Sequence, residues 1–154
     1  MASTGELSDY VEEIARYFSD QGLPLIAGRI LGWLLVCDPA EQSTATIGEG
    51  IRASKASLST NLRLLRQLGL VDRVTRPGER TVYYSLDVEL WYERTRRALS
   101  TLTDFRDLLA EGVELLGANE RRAQRLVEVH DLYTEMEQDL QGLWERWDLR
   151  RKQR

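Results

Sequence analysis

Cysteine and histidine occur once each in the 154 residues, as Cys37 and His130. An internal disulfide framework is therefore excluded, and the chain fits a reducing compartment. A zinc site of the usual Cys and His type would need ligands from several chains, so no metal is expected. No Ser–His–acid set converges in the sequence and the carboxylates are dispersed, so no catalytic residue is assigned and no enzyme is expected. His130, beside Val129, reads as a packed side chain. Cys37 precedes Asp38, whose charge has the wrong sign to activate a thiol, and reads as structural. Long apolar runs are also missing. The longest, residues 30–37, is far too short for a bilayer, and no secretory leader pattern is visible, so a cytoplasmic protein without a membrane partner is expected. Gly48-Glu49-Gly50-Ile51-Arg52-Ala53 loosely fits a dinucleotide fingerprint, but it follows no strand; no cofactor is expected.

Lysine is scarce, with 2 Lys against 19 Arg, and the net charge is −4. The charge is unevenly spread. Residues 1–50 carry −6, residues 51–86 carry +5 and residues 87–154 carry −3. Salt screens charges over roughly 8 Å at physiological ionic strength, so a basic face acts locally whatever the total. Within the basic window, residues 54–68 contain no acid.

That stretch reads as a helix. Ser54 is a good N-cap and Gly69 a good stop. Leu58, Leu62, Leu65 and Leu68 form one apolar stripe, opposite Ala56, Ser57, Thr60, Arg63 and Gln67. A solvated helix face in an acidic chain ordinarily mixes in Asp or Glu. A face that meets phosphates and base edges excludes them.

The flanking pattern supplies a frame. Leu7, Val11, Ile14 and Phe18, with Tyr10 and Tyr17 beside them, predict a first helix over 5–20 after a disordered 1–4. Pro24 starts a second, nearly all-apolar helix running to residue 38, with Cys37 in its last turn. Gly28 and Gly32, four apart, make a groove for another backbone. After a loop over 39–43, Thr44 caps a short helix over 45–51, with Ala45, Ile47 and Ile51 inward. Gly48 and Gly50 weaken that helix and make sense if neighbours pack tightly there. Arg52-Ala53 is the turn into the acid-free helix: a helix-turn-helix. Strands over 71–76 and 80–86, joined at Pro77-Gly78-Glu79, form a hairpin wing with Val74, Val82, Tyr84 and Leu86 inward. Asp87 caps a long helix to residue 116. Gly112 is placed to bend it and Gly117 stops it. Asn119 caps a last helix. There Leu126, Val129, Tyr133, Met136, Leu140, Leu143 and Trp147 step as a heptad seam, followed by a basic, frayed tail at 150–154.

The fold class is thus mainly α with a small β-hairpin wing. Residues 5–38 are N-terminal helices for dimer and core support, 39–86 a winged helix-turn-helix, and 87–154 long dimerisation helices. The expected partners are a double-stranded DNA operator, a second copy of the chain, and a small-molecule effector. Lys55 would meet phosphate; Ser57, Thr60 and Arg63 would face bases, with Asn61 at the margin; Arg80 would enter the minor groove, with Arg76 and Arg73 on the backbone. The effector candidates are Trp33 and Trp91, from a set of four tryptophans able to build an aromatic cage for a cation. The alternative is a winged-helix protein–protein interaction module without DNA. The acidic total favours it and the acid-free helix face opposes it.

Residues Leu25-Ile26-Ala27-Gly28-Arg29-Ile30-Leu31-Gly32-Trp33-Leu34-Leu35, Ala53-Ser54-Lys55-Ala56-Ser57-Leu58-Ser59, Leu68-Gly69-Leu70-Val71 and the Pro77-Gly78-Glu79-Arg80 wing resemble the GbsR-type branch of the MarR superfamily. The resemblance spans residues 5–90. It implies a homodimeric regulator, typically a repressor, on a pseudo-palindromic operator, with helices at both ends forming the dimer. It also implies an effector between those helices and the winged domain, choline-like in some relatives. Gly48 and Gly50 depart from the Ala-type residues such a motif carries. Such a regulator would work in the cytoplasm, at the nucleoid when DNA-bound.

Overall fold

A computed structural model describes residues 4–117 and 120–153. The expected cap at Asn119 and the disorder expected at 1–3 lie outside those residues. Residue 4 instead opens the first helix. The elements are α1 (Thr4–Asp20), α2 (Leu25–Val36), β1 (Gln42–Ser43), α3 (Thr44–Ile51), α4 (Lys55–Gln67), β2 (Asp72–Thr75), β3 (Val82–Ser85), α5 (Val88–Leu116) and α6 (Ala123–Arg151). The chain is mainly helical with a small antiparallel sheet of order β1-β3-β2. It divides into two compact units, Met1–Arg94 and Thr95–Arg154.

In the first unit α2 is the centre. Ala27, Ile30, Leu31 and Leu34 are buried, in one cluster with Val11 of α1, Ile47 and Ile51 of α3, and Leu58, Leu62 and Leu65 of α4. Gly28 lets α1 and α2 cross almost backbone to backbone. A Cβ there would lie 2.8 Å from the Cα and the carbonyl oxygen of Ala15. Gly32 faces Val11 and Ile14 in the same way, so the groove expected from this pair is present. Glu12 and Arg29 pair beside the crossing, Arg29 Nη2 donating to Glu12 Oε2 at 3.0 Å. The helix ends earlier than expected. Cys37 is extended, at φ −72° and ψ 151°, and lies outside its last turn.

Two corrections concern α3. Ser43, not Thr44, is the N-cap; its hydroxyl accepts from the Thr46 N–H at 3.1 Å. Ala45 points to solvent while Ile47 and Ile51 are buried, because a helix turns about 100° per residue and a position two before Ile47 falls on the opposite face. The predicted loop before it contains a strand. Gln42 and Ser43 pair with Tyr84 and Tyr83 of β3.

The second unit holds most of α5 and all of α6, side by side and antiparallel. Arg96 pairs with Asp148, Thr103 and Arg106 with Glu137, and Phe105 meets Tyr133 edge-on at 5.0 Å. Asp87 caps α5 as expected, its Oδ1 accepting from the N–H groups of Glu89 and Leu90. Within the heptad seam, Leu126, Tyr133, Leu140 and Trp147 are half-buried, whereas Val129, Met136 and Leu143 are exposed. Leu108, Leu115 and Leu132 are more exposed still. Two helices alone leave this much apolar surface uncovered.

Candidate nucleic-acid interface

Ser54 begins the interface. Its hydroxyl accepts from the Ser57 N–H at 3.3 Å, which fixes the entry into α4. Ahead of it, Arg52 adopts the left-handed region at φ 54°, turning the chain sharply from α3 into α4. Leu58, Leu62 and Leu65 anchor α4 on the core. This leaves Lys55, Ala56, Ser59, Thr60, Arg63, Arg66 and Gln67 exposed, without an acid among them. A helix pinned on one face and acid-free on the other presents backbone N–H groups and neutral or cationic side chains to an anion.

The structure sorts the sequence candidates. Thr60 and Arg63 stand in the middle of the outward face, and Lys55 is exposed in the first turn. Ser57 is half-buried at one margin. Asn61 turns inward and is only 8 % exposed; its amide donates to the Ser57 carbonyl at 2.8 Å. At 100° per residue, one step from Thr60 moves a side chain from the outer face to the edge of the apolar stripe. Asn61 is therefore placed to hold the first turn rather than to reach a base. Arg66, exposed in the last turn, was not among the candidates, although its three-residue step from Arg63 could have marked it.

The wing is built on β2 and β3, with Arg73 opposite Tyr84, Val74 opposite Tyr83 and Thr75 opposite Val82. Directly opposed residues of an antiparallel pair share a face. Tyr84 and Leu86 pack on the core, so Val74, opposite Tyr83, lies on the other face. The expected inner set thus keeps Val82, Tyr84 and Leu86 and loses Val74. Arg73 and Arg76 likewise stand on opposite faces. Arg80 is exposed beside the Pro77–Glu79 turn. Arg76 is engaged within the chain: Nη2 meets Glu41 Oε2 at 2.6 Å, Nη1 lies 3.9 Å from Glu79 Oε1, and its guanidinium carbon sits 4.4 Å from the Tyr83 ring centroid.

Trp33 and Trp91 both lie at the margin of the first unit's core. Trp33 covers Gly50, where a Cβ would come within 2.6 Å of the ring, and its indole N–H donates to Gln42 Oε1 at 3.4 Å. Gly48 is held by Leu58, whose Cδ1 would lie 2.9 Å from a Cβ there. The two glycines that weaken α3 are thus the sites where α2 and α4 press on it. Trp91 meets Phe18 edge-on at 5.9 Å. Gln42, missed in the sequence, is 3 % exposed, and its amide also donates to the Pro39 carbonyl at 2.6 Å. Burial pushes the Cys37 thiol up, its backbone hydrogen bond opposes that, and Asp38 adds to it, so the thiol is held neutral. Among the described residues no group of three or more His, Cys, Asp or Glu is placed to hold a metal, and no helix is long and apolar enough to cross a membrane.

Comparison with known proteins gives three findings. The family model of MmpR5-like MarR family transcriptional regulators matches residues 89–151, where the sequence carries no sharp motif. The HTH-type transcriptional regulator MmpR5 of Mycobacterium tuberculosis (strain ATCC 25618 / H37Rv) is 36 % identical over 138 residues, covering 89 % of this chain and 84 % of that protein. A crystal structure of a transcriptional regulator is similar with a TM-score of 0.66 and 33 % identity, covering 93 % of this chain and 98 % of that one. The resemblance read from the sequence thus holds at the level of the MarR family, and the matching family model and curated relative are MmpR5-like.

Proposed function

Because the chain belongs to the MarR family of winged-helix transcriptional regulators, and is no enzyme, we propose that it reads a pseudo-palindromic operator as a homodimer, with one α4 in each half-site. The acid-free outward face of α4 carries this reading. Thr60 and Arg63 take the bases, Arg63 being able to pair both major-groove acceptors of guanine. Ser57 works from the margin, and Asn61 holds the helix turn beneath it. Lys55 and the first-turn N–H groups take phosphate. Arg73 and Arg80 extend the contact along the wing, Arg80 at the minor groove.

Pairing of two copies is supported by the surplus apolar surface of α5 and α6, which a second copy would cover. Repression relieved by a small-molecule effector completes the reading. It is supported by the indole rings of Trp33 and Trp91, both only partly buried at the core margin. Such a regulator acts in the cytoplasm.

The test is equilibrium binding of wild type and Arg63→Ala to a selected duplex and to a scrambled one. Losing a bidentate base contact costs about 1–3 kcal/mol on the selected duplex and little on the scrambled one. Equal losses on both make Arg63 a backbone contact. No binding by wild type favours the interaction-module alternative.

A further inference from the structure

Of the two arginines that flank the wing turn, Arg76 is already occupied. Arg76 donates to Glu41, a residue 35 positions earlier that precedes β1, at 2.6 Å. Glu79 stands on its other side at 3.9 Å. Tyr83 lies beneath the guanidinium, and its hydroxyl donates to Glu79 Oε2 at 3.1 Å. One cation thus faces two carboxylates and an aromatic ring, a set that mimics the anionic surface a wing arginine meets on DNA. The hydrogen bond that Arg76 donates to Glu41 raises its pKa above the ordinary value, and the one that Tyr83 donates to Glu79 raises the Tyr83 pKa. Arg73 stands on the opposite face of the hairpin and Arg80 across the turn, so neither takes this place.

We propose that Glu41 is an internal competitor for Arg76: it holds the wing arginine off the phosphate backbone and so sets the affinity and salt dependence of DNA binding. This inference rests on the DNA-binding reading above. Half of the Arg76 side chain remains solvent-accessible, at 47 %. Exchange from carboxylate to phosphate therefore needs only a rotation of the arginine. An exposed ion pair contributes little net stability, so the latch is weak enough for a phosphate to compete with it. Glu41 accordingly acts through Arg76, as a positioning residue.

A double-mutant cycle on the full-length chain tests the assignment, using a duplex selected from a random library by the wild type. Glu41→Gln should tighten binding roughly two- to fivefold, the range of one exposed ion pair. It should also steepen the slope of log affinity against log salt by about 0.9, one phosphate contact. In the Arg76→Gln background, Glu41→Gln should do neither. A gain that persists without Arg76 is a general effect of removing a negative charge and overturns the proposal. So does a loss of affinity on Glu41→Gln, which would make Glu41 a support for a productive Arg76. If Arg76→Gln in the otherwise wild-type chain already lowers the slope by about 0.9, the arginine sits on phosphate without release, and the latch is refuted. Unchanged circular dichroism confirms that the variants fold. If the wild type selects no duplex at all, the DNA-binding reading fails first, which separates the two claims.

Discussion

Arg80 has one neighbour on the wing, Arg76, whose charge is already paired. Arg76 is paired to Glu41 and Glu79, while Arg80 stands exposed beside the turn. Arg80→Ala should therefore weaken binding in low salt and flatten the salt slope by about 0.9. Unchanged affinity across a salt titration would remove Arg80 from the interface. Single residues also mark where a sequence reading stops. Thr60 and Asn61 are adjacent and both polar, yet one faces solvent and the other is buried against Ser57. A stripe of leucines locates the centre of the buried face but blurs its margin, where a polar side chain satisfied by its own helix passes for a surface residue. Gln42 was hidden for a different reason. A two-residue strand has no period, so nothing along the chain announces that its side chain is buried between Trp33 and Pro39.

Elements were legible wherever a periodic pattern met a stop signal. The acid-free helix, expected over 54–68, is Lys55–Gln67 with Ser54 as its cap. The wing was legible as a hairpin, but its register was not. One residue of slip exchanges the two faces, and the Pro77–Glu79 turn does not settle the pairing by itself. Hence Val74 was expected inward and lies opposite Tyr83. The close crossing of α1 on α2 was half legible. Gly28 and Gly32 signalled the groove, but Ala15, fully buried beneath it, carries too little apolar surface to stand out. That crossing makes a stability prediction. Gly28→Val should be destabilising by at least the 1–3 kcal/mol of an overpacked core, because the opposing atoms are backbone and cannot rotate away. Chemical denaturation measures it. A variant as stable as wild type would mean that α1 is free to shift away from α2.

At the scale of the molecule, a net charge of −4 conceals a segment of +5 at residues 51–86, which forms α4 and the wing. That separation lets an acidic protein present a cationic face to DNA. The long helices were legible as helices, and their surplus of exposed leucine points to a second copy. Two copies related by a two-fold axis would put two α4 helices about 34 Å apart, one turn of B-DNA. Selection of bound duplexes from a random-sequence library by the full-length chain tests this most directly. The account predicts enrichment of an inverted repeat whose half-sites are centred one helical turn apart. Enrichment of a single unpaired half-site, or of no sequence at all, would contradict it.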